Sequence, residues 1–156
     1  MTEFEREIVR SFNKFFEQNQ IDGIAYRIKQ HRFSSQILDV LVDSSHEDYY
    51  LGIECKSVST KTGALYFTQH FGIDQIERID NFLRRSGRKG LLAVELKHGK
   101  GKPRRAYIIK WIDLKKRYLA EGVGFTVEEI MRFPQIRRRG RSYVIDAQLW
   151  KNDQLL

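Results

Sequence analysis

The sequence predicts an α/β fold: a single domain with a central mixed β-sheet flanked by helices. Three observations carry that expectation. Residues 3–19 repeat apolar side chains at helical spacing. Short runs rich in β-branched and aromatic residues follow, bounded by polar turns. The resulting order is helix, three strands, helix, two strands, which suits one sheet covered by helices. The 156 residues make about one domain's length, and no linker divides them. A core over about residues 1–112 and a C-terminal helix and strand extension over about 113–156 are expected.

In the first helix, Phe4, Ile8, Val9, Phe12, Phe15 and Phe16 form one apolar face. Thr2 with Glu5 reads as a capping box, and Asn19 and Gly23 read as stop signals. Ile24 to Lys29 is a short mixed strand. Ile37 to Val42 is an apolar run broken by Asp39. Tyr49 to Val58 alternates and then gives way to Ser-Thr-Lys-Thr-Gly. A second helix is predicted from about Ile73 to Arg85, with Ile76, Ile79, Phe82 and Leu83 inward and Gly87 as its C-cap. Strands Leu91–Lys97 and Arg105–Ile112 flank a basic Gly/Pro loop. Thr126-Val-Glu-Glu129 opens another capped helix to about Phe133, and Ser142–Asp146 reads as a last short strand.

Composition excludes several classes. No apolar run approaches the ~18 residues of a membrane span. The opening MTEFEREIVR alternates acid and base where a signal peptide is apolar, so an intracellular, cytoplasmic and nucleoid-associated protein is expected. Cys55 is the single cysteine, which leaves no internal disulfide and no cysteine-rich zinc module. The four histidines stand too far apart in sequence for metal-ligand spacing. Against 20 acidic residues stand 28 Lys and Arg, a net charge of +8. They come in blocks: Arg84, Arg85, Arg88 and Lys89; Lys97, Lys100, Lys102, Arg104 and Arg105; Arg137, Arg138, Arg139 and Arg141. Any one block reads equally as a solvated surface. Three together favour a nucleic-acid partner.

Two carboxylates and a lysine stand out. Asp39 interrupts an apolar strand, where an unpaired buried carboxylate is costly; otherwise it caps a strand end. In Ile53-Glu54-Cys55-Lys56, alternation puts Glu54 and Lys56 on one face and Leu51, Ile53 and Cys55 on the other. A four-residue loop at Ser45–Asp48 pairs residues whose numbers sum to 93, and so sets Asp39 opposite Glu54. Opposed side chains have Cβ atoms roughly 4.5–5.5 Å apart, and like charges that close call for a cation between them. Magnesium suits hard oxygen ligands beside a phosphate. Lys56 on the same face is placed to stabilise charge on a phosphate or an attacking water, which is the chemistry of metal-assisted phosphodiester hydrolysis. Glu5 lies near the centre of the helix's apolar face, whereas Glu3 and Glu7 point well away from it. It serves the capping box or joins the metal site.

An Asp at a strand followed by Glu-X-Lys on the next resembles the PD-(D/E)XK nuclease superfamily. The wider pattern resembles the archaeal Holliday junction resolvases. Glu5-Arg6-Glu7-Ile8-Val9 matches their first-helix motif, and Arg32-Phe33-Ser34-Ser35 stands where they carry a basic serine loop. Glu54-Cys55-Lys56-Ser57 is followed by Leu65-Tyr66-Phe67, then Gln75 and Phe82, and the strand Leu91–Leu96. Extra residues around Thr68–Gly72 and the block Arg137–Arg141 have no counterpart in that pattern.

The resemblance implies a restriction-endonuclease-like core and an endonuclease that resolves four-way DNA junctions. It implies Asp39, Glu54 and the Cys55 backbone carbonyl as ligands of one or two Mg2+, with Mn2+ as a substitute. Glu5 would be an accessory acid acting through water, Lys56 the catalytic lysine, Ser34 and Ser35 loop groups near the scissile strand, and Gln75 a support. Arg6, Arg27, Arg32, Lys61, Arg84, Arg85, Lys100 and Lys102 would bind nucleic acid, and paired cuts imply a homodimer. The alternatives are another nuclease on the same core, acting in repair, restriction or RNA processing, and a non-catalytic nucleic-acid-binding module.

Overall fold

The computed structural model describes residues 2–28 and 37–151. The elements in chain order are α1 (Glu3–Asn19), β1 (Gly23–Arg27), β2 (Val40–Ser44), β3 (Leu51–Ser59), β4 (Ala64–Tyr66), α2 (Phe67–His70), α3 (Gln75–Ser86), β5 (Lys89–Lys97), β6 (Arg105–Lys110), α4 (Trp111–Leu119), β7 (Gly124–Thr126), α5 (Val127–Ile130), β8 (Gln135–Ile136), β9 (Arg138–Arg139) and β10 (Ser142–Tyr143). Six strands form the central sheet in the order β1-β2-β3-β5-β6-β8. β3 and β5 run parallel and the other neighbours antiparallel. The α/β fold with a mixed central sheet is therefore the one the sequence predicts.

The parallel β3–β5 pair dictates the rest, because parallel neighbours need a crossover. Here that crossover holds β4, α2 and α3. α3 buries Ile76, Ile79 and Leu83 against one face of the sheet. Gly52 and Gly90 are register partners on β3 and β5. A Cβ on Gly90 would stand 2.4 Å from a Leu83 methyl, and one on Gly52 would stand 2.9 Å from the other. The two glycines let α3 lie close to the sheet. The other face carries α1 through Phe4, Ile8, Phe12 and Phe16, with Tyr143, Ile145 and Trp150 completing that core.

α1 has the predicted bounds and capping box. Five expectations are corrected. The strand expected from Ile37 begins at Val40, and Asp39 occupies the bend before it. The β2–β3 connection is longer than a four-residue loop and includes a 3-10 turn at Glu47–Tyr49. The helix expected from Ile73 begins at Gln75, since Asp74 is left-handed at φ 60° and Ile73 is 89% exposed. The strand expected to reach Ile112 ends at Lys110, and a helix follows that buries Trp111 and Leu114 while Ile112 faces solvent.

The fifth correction concerns Glu7, which is buried and ion-paired to Arg138 instead of pointing to solvent. α1 has a second partner that its apolar periodicity does not reveal. The β9–β10 hairpin docks on the flank carrying Glu7 and Ser11. Arg138 also lies over the Tyr143 ring, 4.7 Å from its centroid. Tyr143 meets Phe4 edge to face, and its backbone N–H donates to Ser11 Oγ at 2.9 Å.

Removing Arg138 leaves a buried carboxylate unpaired. Arg138→Ala is expected to cost about 1–2 kcal/mol in denaturant unfolding, less than the loss of a fully buried pair because Arg138 is partly wet. Arg137→Ala, on the exposed side of the same hairpin, should stay within about 0.5 kcal/mol of the parent.

Candidate active site

The β2–β3 ladder pairs Val40 with Ile53, Leu41 with Gly52 and Val42 with Leu51. One further step brings Asp39 beside Glu54, as the sum of 93 requires. The contact is made through the backbone as well: the Cys55 N–H donates to Asp39 Oδ2 at 2.8 Å. Cys55 itself faces the α1 core and Glu54 the α3 side, as strand alternation demands.

Glu54 is almost fully buried, at 2% exposure. Its Oε2 accepts from Gln75 Nε2 at 3.0 Å and lies 3.1 Å from Lys56 Nζ. Its Oε1 is buried with no hydrogen-bond partner. Gln75, the first residue of α3, is held in turn by the Gly72 N–H, which donates to its Oε1 at 2.8 Å. The Lys56 ammonium sits 4.6 Å from the centroid of the Phe71 ring. The residues between α2 and α3 thus brace both members of the Glu54–Lys56 pair. The Phe71 and Gly72 contacts have no signature in the sequence.

Glu5 approaches from the α1 side. Its Oε2 accepts from Thr2 N and Thr2 Oγ1 at 3.1 and 2.7 Å, closing the capping box. Its Oε1 lies 3.6 Å from Arg27 Nε. The capping box is formed, and the capping carboxylate is also near enough to Asp39 for its charge to push the Asp39 pKa up.

Burial raises the Asp39 pKa first, and the Glu5 charge adds to it, while the Cys55 N–H and Lys56 oppose the shift. Burial also pushes Glu54 up to about 8, helped by the Asp39 charge and opposed by Lys56. Burial raises the Cys55 thiol as well, which keeps it an inert neutral group. The site is therefore short of positive charge. Lys56 alone does not bring Glu54 back to an ordinary carboxylate.

The donor set fits a hard divalent cation. Two adjacent carboxylates offer oxygens, and the orphaned Glu54 Oε1 is a buried acceptor in want of a partner. Among the described residues no group of three His, Cys, Asp or Glu side chains is arranged to hold a metal. Magnesium does not need one, since it commonly takes one or two carboxylates and keeps several waters.

The other expected residues divide by position. Lys61 is exposed in the 3-10 turn after β3, and Lys100 and Lys102 are exposed in the loop after β5, so all three lie beyond the C-terminal ends of the two parallel strands. Arg6 is exposed and paired to Glu3 at 3.6 Å. Arg27 is held by Glu5 and largely covered. Arg84 and Arg85 are in the last turn of α3, roughly 14 Å along that helix from Gln75, and so stand apart from the carboxylates. Arg32, Ser34 and Ser35 lie outside the described residues.

No protein-family model and no curated protein matches the chain. Among solved structures it is similar to Archaeoglobus fulgidus Hjc, a Holliday junction resolvase from an archaeal hyperthermophile. The identity is 20% and the TM-score 0.38, over 90% of this chain and 89% of that one.

The shift at Glu54 has a testable sign. Without metal, the native state keeps a proton that the unfolded chain releases near pH 4.5. Stability should therefore fall as pH rises from about 4.5 to about 8, then level off. Glu54→Gln should flatten that part of the melting-temperature profile in chelator. An unchanged profile would mean that Glu54 titrates normally.

Proposed function

We propose that this chain is a metal-dependent endonuclease that hydrolyses phosphodiester bonds in DNA, with four-way junctions as its preferred substrate. The observation that carries the chemistry is the convergence of Asp39, Glu54, Lys56 and Gln75, with Glu54 Oε1 buried and unpartnered. Asp39 and Glu54 would hold Mg2+, or Mn2+ in its place, together with the Cys55 carbonyl. A bound divalent ion supplies Lewis-acid activation of the scissile phosphate and of water.

Each residue then has a distinct task. Lys56, steered by Glu54 and the Phe71 ring, presents a cation where charge develops on the phosphate. Gln75 fixes the rotamer of Glu54 and leaves Oε1 free to act. Glu5 takes part from α1, through water, while closing the helix cap. Lys61, Lys100 and Lys102 line the sheet end beyond the site and meet the phosphate backbone, joined by Arg6, Arg27 and Arg32. Arg84 and Arg85 would engage nucleic acid at a distance from the cut. Ser34 and Ser35 are assigned to the scissile strand on the resemblance alone.

Junction preference and a homodimer belong to the same reading, because two coordinated cuts require two sites related by symmetry. No helix among the described residues is long and apolar enough to cross a membrane. An intracellular, nucleoid-associated enzyme of recombination and repair suits the charge.

The test is cleavage of a labelled immobile four-way junction, with magnesium and with chelator, beside linear duplex, flap and single-stranded DNA. Asp39→Asn, Glu54→Gln and Lys56→Ala should each lower the rate by at least 100-fold, the scale of lost electrostatic catalysis. Junction binding should persist in all three. Paired nicks on opposing strands are expected. Equal cutting of linear duplex would remove the junction preference and keep the nuclease; full turnover by a folded Glu54→Gln protein would remove the site. Glu5→Gln should slow cleavage and lower the melting temperature only modestly, since Gln also completes a capping box and the charge lost is that of the 3.6 Å Arg27 pair. Glu7→Gln is no silent control, because it weakens the Arg138 pair.

A further inference from the structure

The block Arg137–Arg141 has no part in the site described above, yet the fold gives it a defined place. The hairpin is fixed to α1 by the Glu7–Arg138 pair, the Tyr143 ring beneath Arg138 and the Ser11–Tyr143 hydrogen bond. Arg138 is used in this anchoring. Arg137, Arg139 and Arg141 are left exposed on the outside. α1 adds Arg10 and Lys14, both exposed and one helical turn apart. The two groups adjoin. Arg10 donates to the Arg141 carbonyl at 3.3 Å, and Lys14 and Arg139 line the same groove between helix and hairpin.

Five cations thus share one surface, and among the described residues none of them makes an ion pair. Such a patch, held by rigid elements, is suited to a polyanion.

The occupant follows from what the patch lacks and where it leads. Single strands are gripped by stacking bases on aromatic rings. Tyr143 is covered by Arg138 here, and the exposed aromatic among the described residues, Tyr66, is on β4, which packs on the opposite face of the sheet. Two rings line the groove, but Tyr143 is 4% exposed and Phe15 is partly buried against Phe16 and Tyr49, so the contacts on offer are chiefly to phosphates, which position a duplex without reading it. Arg10 and Lys14 lie about 7.5 and 13.5 Å along α1 from Glu5, which borders the carboxylate pair. At 3.4 Å per step along one strand, that is a reach of about two to four base pairs from the cut.

We propose that Arg10, Lys14, Arg137, Arg139 and Arg141 form a phosphate-binding ridge that holds a duplex arm of the substrate beside the scissile bond. This rests on the nuclease reading for its orientation but not for its existence. The ridge also accounts for a block that the resemblance leaves without a counterpart.

The experiment measures affinity for a labelled linear DNA duplex between 50 and 200 mM salt, in chelator so that nothing is cut. Each lost phosphate contact makes the negative slope of log affinity against log salt shallower, lowering its magnitude by about 0.9. Arg139→Gln with Arg141→Gln should lower it by about 1.8. Affinity should then change about 12-fold less over that salt range than in the parent. Arg10→Gln with Lys14→Gln, on the helix, should act in the same direction, so the result does not depend on the hairpin staying folded. Lys116→Gln with Arg132→Gln, which removes two charges from the α4–α5 side, is the matched control and should change the slope by less than about 0.5. Single-stranded DNA of equal length should be affected less than duplex.

A parental slope in both ridge variants overturns the proposal. So does an equal loss in the control, which would make the effect one of net charge. A loss confined to phosphatidylserine vesicles would assign the ridge to a membrane surface and also overturn it. Cleavage separates the two readings. If the ridge variants make the slope shallower in a protein that cuts no DNA, the ridge stands while the nuclease assignment falls. A protein that cuts normally with both ridge variants at the parental slope gives the converse.

Discussion

The pairing of Val40 with Ile53 is the constraint on which the site depends. Strand side chains alternate, so a slip of one residue would send Asp39 and Glu54 to different neighbours and turn one strand inside out. In the register adopted, both faces of the β2–β3 pair are covered, which makes that slip prohibitively costly. The same register forces two carboxylates together in a buried place. The local structure answers in part: the Cys55 N–H is among the contacts of Asp39, and Glu54 has a lysine and a glutamine amide. These do not offset burial in full, as the raised pKa values show. A site left electrostatically incomplete in this way is well suited to taking up a cation.

Much of this was legible from the residues. The arithmetic of the ladder gives the Asp39–Glu54 neighbourhood, although the turn in the protein is longer than four residues. The ladder has that sum even so, because the longer turn adds residues equally to both sides of the pairing. Alternation places Cys55 in the core and Glu54 with Lys56, and Gln75, which the resemblance names, donates to Glu54. What could not be read was the environment supplied by distant segments. Glu7 looked solvent-facing by helical angle, since its partner Arg138 is 131 residues away. Phe71 beneath Lys56 is one more apolar residue until the crossover is folded. Trp111 continued a β-prone run, and only the burial of Trp111 and Leu114 three residues apart marks it as the start of a helix.

The sheet also separates two electrostatic tasks. On the α3 side, Glu54, Lys56 and Gln75 share a small, buried and nearly closed set of contacts. On the α1 side, Glu95 is buried as well, accepting from Ser57 Oγ at 2.9 Å and lying 3.7 Å from Arg104. Ser57 directly follows Lys56, so adjacent residues of β3 send a cation to one face and a hydroxyl to the other. Charge is thereby held against both sides of the same strand end, and the exposed cations of the loop after β5 gather just beyond it.

The docking of residues 138–150 on α1 has a consequence for how the protein is made. Synthesis runs from the N-terminus, so α1 emerges before the sheet and the hairpin, carrying Phe12 and a Glu7 that needs a counter-charge. Trp150, which packs on Phe12 with ring centroids 6.0 Å apart and donates to the Asp48 carbonyl, emerges more than a hundred residues later. Until then the nascent chain holds a helix with part of its apolar surface uncovered. The hairpin and Trp150 are therefore what completes the cover of α1, and a chain that stops before the hairpin keeps that apolar surface open to aggregation.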